Sequence, residues 1–398
     1  LLAEDDPSVP GLELELAVAL AGIGSFGEAI DLFADAEQRA VDPCLSGHIR
    51  IARLNARLNF EPEGMDAAIR RECERVIPLF EAHGDHRALS RAWYALGQVE
   101  WAETQMEATD RAMTTAAAHA HRAGDRGLEL LTLVSRAGWL GTTSWSTSET
   151  RRELERLTRR FPGEPAVERV LRFWRVFSAY QEGRAGDARA LARDWLDDVR
   201  RHDSPMMAES FAMFFALNEL LTGDVDRAER LALDAVEALQ DCGVRAYLGS
   251  AKSVLAEVRA AQGRAREAVE LADESVRIGS SADRVNLVAA HAVQARAYAM
   301  LGEHEQAKAA ATEAVAVAGQ TDSLLIQATA QKALAHALLA AGELPAARAA
   351  AVEAERLFGT LERFLTQQPA TALVAQIERE LAAASAPPVL AGHREGGD

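Results

Sequence analysis

The segment Gly223–Ala235 reads GDVDRAERLALDA, and its pattern of small residues returns three more times along the chain. Each copy has a glycine followed by small residues 5, 9 and 12 positions later. The four glycines, 40, 39 and 40 residues apart, are Gly223, Gly263, Gly302 and Gly342. The small residues after them are Ala228, Ala232, Ala235, Ala268, Ala272, Ser275, Ala307, Ala311, Ala314, Ala347, Ala351 and Ala354. Residues three and four apart share one face of an α-helix, so the pattern predicts a glycine turn followed by a helix that a second helix approaches closely.

A fixed period near 40 residues is typical of helical-repeat solenoids. The register extends toward the N-terminus, with turn positions at Gly24, Gly64, Glu103, Gly141 and Gly183. Before the third of these, Trp93–Gly97 reads WYALG and fits the W-x-x-L-G opening of a tetratricopeptide repeat. No segment alternates with the period of two that a strand requires. We predict an all-α fold, a right-handed α-solenoid of about nine tetratricopeptide-like helix-turn-helix repeats with a C-terminal capping helix near residues 369–384.

The fourth repeat and the chain ends depart from this pattern. Ser146, Thr150 and Glu153 stand where most other repeats have apolar residues, and Thr142–Ser148 replaces the tight glycine turn. Residues 1–10 are acidic and predict a connector, residues 11–385 predict the solenoid, and residues 386–398, rich in proline, glycine and charge, predict a disordered tail. Because the chain opens on Leu1 and not on methionine, we expect a region excised from a longer protein.

The charge balance argues against several classes of partner. The chain has 43 basic and 60 acidic residues, a net charge of −17, which disfavours nucleic acid and anionic membrane surfaces. Its three cysteines, Cys44, Cys73 and Cys242, are far apart, which favours a reducing compartment over a disulfide framework. No apolar run approaches the roughly 20 residues of a membrane span. We therefore predict a cytoplasmic protein without nucleic-acid or membrane contact.

The sequence offers little that predicts catalysis. Its close histidine pairs, His83 with His86 and His119 with His121, lack the further ligands at fixed spacing that metal sites need. No phosphate-binding G-x-x-x-x-G-K-[ST] loop and no recognisable nucleophile motif occur in the sequence. We predict no metal, no cofactor and no enzymatic activity for this chain.

Three stretches in the second half of the chain resemble a known family. Residues 243–268 begin GVRAYLGSAKSVLAE and end QGRAREA, residues 316–322 read AVAGQTD, and residues 339–343 read LAAGE. They resemble the C-terminal tetratricopeptide-like region of large actinobacterial signalling and regulatory proteins, best between residues 206 and 358. In that family the region follows an AAA-type or signal-transduction ATPase module, often behind an adenylate or guanylate cyclase domain or a transcriptional-activator domain. The resemblance implies a solenoid within a regulator, and it places any cyclase or ATPase activity in domains outside this chain.

The large aromatic residues are concentrated in one part of the chain, since all six tryptophans fall between Trp93 and Trp195. In a tetratricopeptide solenoid the first helix of each repeat lines the concave surface, at fixed positions before the turn. The residues that this rule selects for binding a ligand or partner are Tyr94, Gln98, Trp101, Trp139, Phe173, Phe177, Tyr180 and Met213. Further along, it selects the smaller or polar residues Ser250, Ser253, Glu257, Arg296, Lys332 and His336. The competing interpretation is that the aromatic residues fill gaps left by the irregular repeats 4 and 5.

These observations predict a non-catalytic interaction or sensor region of a larger cytoplasmic regulatory protein, acting in signal transduction or transcription regulation. A protein, a peptide or an effector domain of the same polypeptide would bind in the concave groove, and binding would change the curvature of the solenoid. One alternative is a receptor for a small, mostly apolar ligand, with a pocket in repeats 3–6. The other alternative is a passive assembly scaffold.

Overall fold

The structure is a computed structural model, and it describes residues 6–202 and 205–385. Within these residues it contains nineteen α-helices and no β-strand. In chain order the helices are α1 (Val9–Gly22), α2 (Phe26–Arg39), α3 (Pro43–Phe60), α4 (Met65–His83), α5 (His86–Ala102), α6 (Met106–Arg122), α7 (Arg126–Thr143), α8 (Thr147–Arg160), α9 (Pro165–Gln181), α10 (Ala185–His202), α11 (Pro205–Leu221), α12 (Val225–Asp241), α13 (Arg245–Ala261), α14 (Ala265–Ile278), α15 (Arg284–Met300), α16 (His304–Ala318), α17 (Leu324–Ala340), α18 (Leu344–Thr360) and α19 (Phe364–Ser385). The all-α prediction is confirmed. Helix α1 begins inside the stretch 1–10 that the sequence predicts as a connector, and the predicted tail, residues 386–398, lies outside the described residues.

The helices of the described chain form nine pairs followed by α19. Each odd-numbered helix packs against the even-numbered helix that follows it, and in most repeats also against the next odd-numbered helix. This second set of contacts puts the odd-numbered helices on the inner side of a curved stack and the even-numbered helices on its outer side. The helix-pair solenoid predicted from the repeat is therefore confirmed.

The glycine turns lie where the period places them. Gly223 and Gly263 have φ angles of 89° and 80°, a left-handed conformation that is accessible to glycine without steric cost. The twelve small residues that follow the last four turn glycines are all fully buried, which lets the paired helices approach closely. Thr104 (φ 58°) takes the left-handed position in repeat 3 and Glu362 (φ 54°) takes it after α18; in the described chain they are the two non-glycine residues with positive φ.

Gly141 is not a turn residue, which corrects the register expected for repeat 4. Helix α7 runs two residues beyond it, and a Cβ on Gly141 would overlap the ring of Trp174 and lie 3.0 Å from Thr150 Cγ2. The next helix has its own start signal, because Ser146 Oγ accepts from the Glu149 N–H (3.2 Å) and the Glu149 carboxylate accepts from the Ser146 N–H (2.8 Å). The glycine at position 141 therefore serves the close packing of α7 against α8 and α9.

Parts of the chain that are about 200 residues apart lie in direct contact. Ser281 donates two hydrogen bonds to the Glu63 carboxylate, from its N–H (3.1 Å) and its hydroxyl (2.9 Å), and Arg284 Nη1 donates to the Glu103 carbonyl (3.0 Å). Such hydrogen bonds join residues 180 to 222 apart in sequence, so one turn of the superhelix takes about five repeats. We call this line of contact the seam; it joins residues 60–63, 103–107, 141–148 and 181 of the first turn to residues 243, 281–284, 320–323 and 361–365 of the second.

Candidate functional site

Helix ends form much of the seam. The Asp322 carboxylate accepts hydrogen bonds from the backbone N–H groups of Met106 (2.5 Å) and Glu107 (2.9 Å), at the N-terminus of α6. The Glu362 carboxylate accepts one from the N–H of Ser148 (3.0 Å), at the N-terminus of α8. Since these N–H groups have no partner within their own helix and carry partial positive charge, carboxylates of the second turn act as caps for helices of the first.

The inner helices of the two turns meet end to end. Ser323 Oγ, at the start of α17, donates to the Thr143 carbonyl at the end of α7 (2.7 Å). The Leu365 N–H, in α19, donates to the side-chain oxygen of Gln181 at the end of α9 (2.8 Å). The inner surface of the first turn therefore continues into that of the second, and both turns enclose one interior.

The number of inner helices per turn limits the width of this interior. About five helices spaced roughly 9 Å apart form a ring whose helix axes lie about 8 Å from the centre. A helix with its side chains has a radius of about 5 Å, which leaves an opening on the order of 5 Å. An opening of this size would exclude an α-helix or a folded domain and would admit an extended chain or a slender molecule.

Four of the predicted residues lie on inner helices of the first turn: Tyr94, Gln98 and Trp101 on α5 and Trp139 on α7, all half-buried. The rings of Trp101 and Trp139 are stacked, with centroids 5.3 Å apart and planes at 20°. The ring centroid of Tyr94 lies 5.8 Å from that of Trp139, and its hydroxyl lies 3.3 Å from the hydroxyl of Ser135. Burial raises the pKa of the Tyr94 phenol. Two adjacent inner helices thus form a continuous aromatic wall, the Trp101–Trp139 stack.

Two polar atoms beside this stack have no hydrogen-bond partner. Trp101 Nε1 and the side-chain oxygen Oε1 of Gln98 are buried and unpaired within the described part of the chain. Buried polar groups are nearly always hydrogen-bonded, because an unpaired group loses its bonds to water without replacement. The Trp101–Trp139 stack therefore has one donor and one acceptor available next to its rings.

The second turn contributes charged groups to the interior. Burial raises the pKa of Tyr247, on α13, to about 12, and the proximity of Tyr94 from the first turn adds to this rise. Arg296 on α15 pairs with Glu257 on α13 (2.6 Å), and two further basic residues on α17 lie next to this pair. The interior is thus aromatic in the first turn and largely ionisable in the second.

Phe173 and Met213 are predicted groove residues that the structure places in the hydrophobic core. Phe173 is 3 % exposed, and its ring centroid lies 5.6 Å from that of Trp195 and 5.7 Å from that of Phe215. Met213 is 6 % exposed and packs in a core cluster with residues of α12 and α13. Both side chains fill space between helices, as the gap-filling interpretation predicts for the aromatic Phe173, and we remove them from the candidate site.

Tyr180 and Phe177 also lie elsewhere than the groove prediction places them. Tyr180 is 1 % exposed, and its hydroxyl donates to the Glu219 carboxylate (2.7 Å). Glu219 is itself fully buried and pairs with arginines of α10 and α12, so Tyr180 belongs to a buried ionic cluster. Phe177 is half-buried at the seam, where the guanidinium of Arg363 lies 5.5 Å from the centre of its ring.

A surface cavity of about 260 Å³ between α6, α7 and α8 was not found from the sequence. The Arg136 guanidinium in its wall stacks on the ring of Trp145 (4.9 Å) and pairs with Asp110 (2.5 Å) and Glu153 (2.7 Å). Because these charges already satisfy one another, the cavity has little to offer a charged ligand. Its sequence signal is the irregularity of repeat 4.

The two histidine pairs of the sequence are partly brought together. His86 Nδ1 lies 3.1 Å from His119 Nδ1, and burial lowers the pKa of His119. In residues 6–202 and 205–385 no three side chains of His, Cys, Asp or Glu are grouped so that they could hold a metal ion. In the same residues no helix combines the length and the apolar character that crossing a membrane requires.

No protein-family model and no curated protein matches this sequence. Among solved structures, the chain is similar to a Rap protein complexed with competence and sporulation factor, at 11% identity and a TM-score of 0.48 over 95% of this chain and 99% of that one. It is also similar to the apo form of the quorum sensor NprR from B. thuringiensis, at 12% identity and a TM-score of 0.42 over 92% and 97% of the two chains. A third is a signal transduction ATPase with a tetratricopeptide repeat sensor from Pyrococcus horikoshii, at 14% identity and a TM-score of 0.39 over 88% and 54%. All three scores are below 0.5, so the fold stated above depends on the chain's own helices and contacts.

Proposed function

We propose that this chain is a non-catalytic interaction and sensor region of a larger cytoplasmic regulatory protein, and that it binds an extended peptide segment inside the superhelix. The observation that carries the proposal is the Trp101–Trp139 stack, with its unpaired Trp101 N–H and Gln98 side-chain oxygen. An extended peptide has apolar side chains to place against the rings and a backbone donor and acceptor for the two unpaired atoms. A helical or folded partner is disfavoured by the opening on the order of 5 Å.

Occupancy of the interior would act on the rest of the protein through the seam. The seam combines hydrogen bonds and helix caps with apolar packing between the helices of the two turns, so a change in the curvature of each repeat would alter how closely the two turns fit. A ligand that fits one spacing of the two turns better than the other shifts the equilibrium between them. The change in the spacing of the two turns would then alter the position of an effector domain attached to either end. The signalling or transcription-regulating setting is supported by the family resemblance of residues 206–358 alone.

The proposal is tested by tryptophan fluorescence and affinity selection with a synthetic pool of random hexapeptides. We expect saturable binding of some members, lost in both Trp101→Ala and Trp139→Ala. Trp145→Phe is the matched control, because Trp145 lies beside Arg136 in the surface cavity and should leave binding unchanged. Binding that survives both interior substitutions, or no binding by a chain that is folded by circular dichroism, would overturn the proposal.

A small-molecule receptor is the second candidate, favoured by the narrow interior and the planar stack. It predicts that a fraction of small apolar compounds, and not the peptide pool, quenches Trp101 and Trp139. A chain that binds neither and self-associates in sedimentation would be a passive scaffold.

A further inference from the structure

Four ionisable residues of the second turn lie on three neighbouring inner helices: Glu257 on α13, Arg296 on α15, and Lys332 and His336 on α17. Arg296 Nη1 lies 2.6 Å from Glu257 Oε1, and the two side chains are 35 % and 27 % exposed. Lys332 and His336 are half-buried, and the charges of Glu257 and Arg296 contribute to the pKa shifts of both. The cluster lies on inner-surface positions of the solenoid, and neither helix capping nor the seam uses it.

Lys332 differs from the other lysines in having no carboxylate partner. In the described chain no carboxylate oxygen lies within ion-pair distance of its Nζ, which lies 6.0 Å from the centroid of the Phe358 ring. Burial lowers the pKa of Lys332, Glu257 opposes that fall, and Arg296 adds to it. By contrast Lys252 pairs with Glu274 (2.5 Å), and Lys308 pairs with two glutamates. An ammonium group that is half-buried without a counter-ion loses part of its hydration, and a bound anion would offset that cost.

The charges of the cluster leave one positive charge uncompensated. Glu257 and Arg296 neutralise one another as a pair, and Lys332 adds a single positive charge. Burial, followed by the charges of Lys332 and Arg296, lowers the pKa of His336 to about 4, so its ring is neutral at physiological pH and can donate one hydrogen bond. This positive charge occurs in a chain of net charge −17, so it does not reflect a general excess of basic residues.

We propose that Lys332, supported by Arg296 and His336, binds one negatively charged group of the ligand whose apolar part lies against Trp101 and Trp139. The inference rests on the proposed function for the apolar part alone. Helix α7 ends at Thr143, where it meets Ser323 before α17, so Trp139 is four residues above this junction and Lys332 nine residues below it. At 1.5 Å per helical residue their separation along the axis is roughly 20 Å, the span of about six extended residues. A peptide with a free C-terminal carboxylate fits both ends, and a free carboxylate or phosphate shares the chemistry of the charged end.

The three lysines of the chain allow a direct test by limited acetylation and mass spectrometry. The probes are a random hexapeptide pool with free C-terminal carboxylates, the same pool with C-terminal amides, and inorganic phosphate. We expect the free-acid pool to slow acetylation of Lys332 at least about tenfold while Lys308 is unaffected, and the amide pool to protect Lys332 much less, because a charge-assisted hydrogen bond is worth about one power of ten or more in affinity. Protection by phosphate alone would support the same site with a free anion as its ligand.

Substitutions distinguish the effect of the positive charge of Lys332 from an effect on the structure. Lys332→Met should weaken the free-acid pool by about tenfold and leave the amide pool unchanged, Lys332→Arg should retain most of the preference, and Lys308→Met should behave as wild type. Equal binding of both pools, unchanged in Lys332→Met, would overturn the anion site and leave the proposed function standing. If neither pool binds, the proposed function fails. The anion site is then tested by inorganic phosphate alone: protection of Lys332 from acetylation would support the site, and no protection would overturn it.

Discussion

Arg363 and Gly141 are 222 residues apart in sequence and are joined by a hydrogen bond of 2.7 Å, from the guanidinium Nη2 to the carbonyl oxygen. Nη1 donates to the neighbouring Thr142 carbonyl (3.0 Å). Arg363 is 4 % exposed and has no carboxylate within ion-pair distance in the described residues. Carbonyl groups in the last turn of a helix carry partial negative charge, so the end of α7 takes the place of a counter-ion. Burial lowers the pKa of Arg363 to about 10, and the group therefore keeps its charge at neutral pH.

Replacing Arg363 by methionine is expected to lower the free energy of unfolding by about 2–4 kcal/mol. The substitution retains most of the apolar volume but leaves the Gly141 and Thr142 carbonyls without their donors, at about 1–2 kcal/mol for each buried group. Urea unfolding followed by circular dichroism measures the loss, and hydrogen exchange should rise in α7 and α19. The control is Arg348→Met, since Arg348 is 50 % exposed and pairs with Glu378 (2.8 Å), and should cost under about 0.5 kcal/mol. Equal losses in the two variants would contradict a special role for Arg363 at the seam.

The cap that Asp322 places on α6 is predicted to hold the two turns together. Asp322→Ala removes the acceptor of the Met106 and Glu107 N–H groups and should cost about 1–2 kcal/mol. Because cap and helix belong to different turns, the radius of gyration from small-angle scattering should also increase. Asp42→Ala is the control: Asp42 caps its own helix through the Leu45 N–H (2.7 Å), so stability should fall while the radius of gyration stays constant. An unchanged radius in Asp322→Ala would show that the seam does not depend on this cap.

The repeat itself was predictable because its signal is local and recurs. In the last four units, Gly223 and its counterparts adopt a left-handed conformation, and the buried positions such as Ala232 are small. The seam was not predictable in the same way. Which residues meet there depends on the small rotation between repeats summed over five of them, and a pair such as Asp322 and Met106 has no signature in either segment.

The position rule places some of its residues on the inner side of the stack. Tyr94 and Trp101 lie on α5 and Trp139 lies on α7, both inner helices, and the role of these residues in binding stays a prediction. The rule fails for Phe173, because the inner helix there packs against other aromatic rings, and for Tyr180, because a buried carboxylate holds its hydroxyl. The sequence shows that these residues are large, but it does not show which neighbouring helix they pack against.

Replacing each of two glycines in α7 by alanine is predicted to change the stability of the protein in opposite directions. Gly141→Ala places a Cβ against the Trp174 ring and Thr150, and overpacking of this kind should cost about 1–3 kcal/mol. Gly138 has no heavy atom within 4 Å of an added Cβ, so Gly138→Ala should gain about 0.5–1 kcal/mol from the lower backbone entropy of the unfolded chain. Thermal unfolding of both variants measures the two signs. A gain in Gly141→Ala would mean that α7 and α9 are further apart than described.

Two aspartates that cap inner helices are predicted to make the stability of the protein depend on pH in opposite directions. Asp283 accepts from the Asn286 N–H (3.0 Å) at the start of α15, and burial raises its pKa from 3.8 to about 6. Asp125 accepts from the Leu128 N–H (3.0 Å) and from Arg87 (2.9 Å). Burial favours a higher pKa for Asp125 too, but these hydrogen bonds outweigh it and its pKa is lowered from 3.8.

For Asp283 the folded state binds its proton more tightly than the unfolded state. Its contribution to stability is therefore full below pH 3.8 and is lost as the pH rises through about 6. Measured against Asp283→Asn, which keeps the helix cap, the wild type should lose on the order of 2 kcal/mol between pH 4 and 6 and stay level above that range.

For Asp125 the sign is reversed: the contribution is full above pH 3.8, and the wild type should lose stability against Asp125→Asn as the pH falls below that value. Urea unfolding of the three proteins from pH 3 to pH 8 measures the difference in unfolding free energy between the wild type and each variant. The other ionisable groups are common to all three proteins, so their contributions cancel. Slopes of the same sign would mean that the Asp283 carboxylate is solvated in the folded protein, and the interior next to Tyr247 would then be wider than about 5 Å.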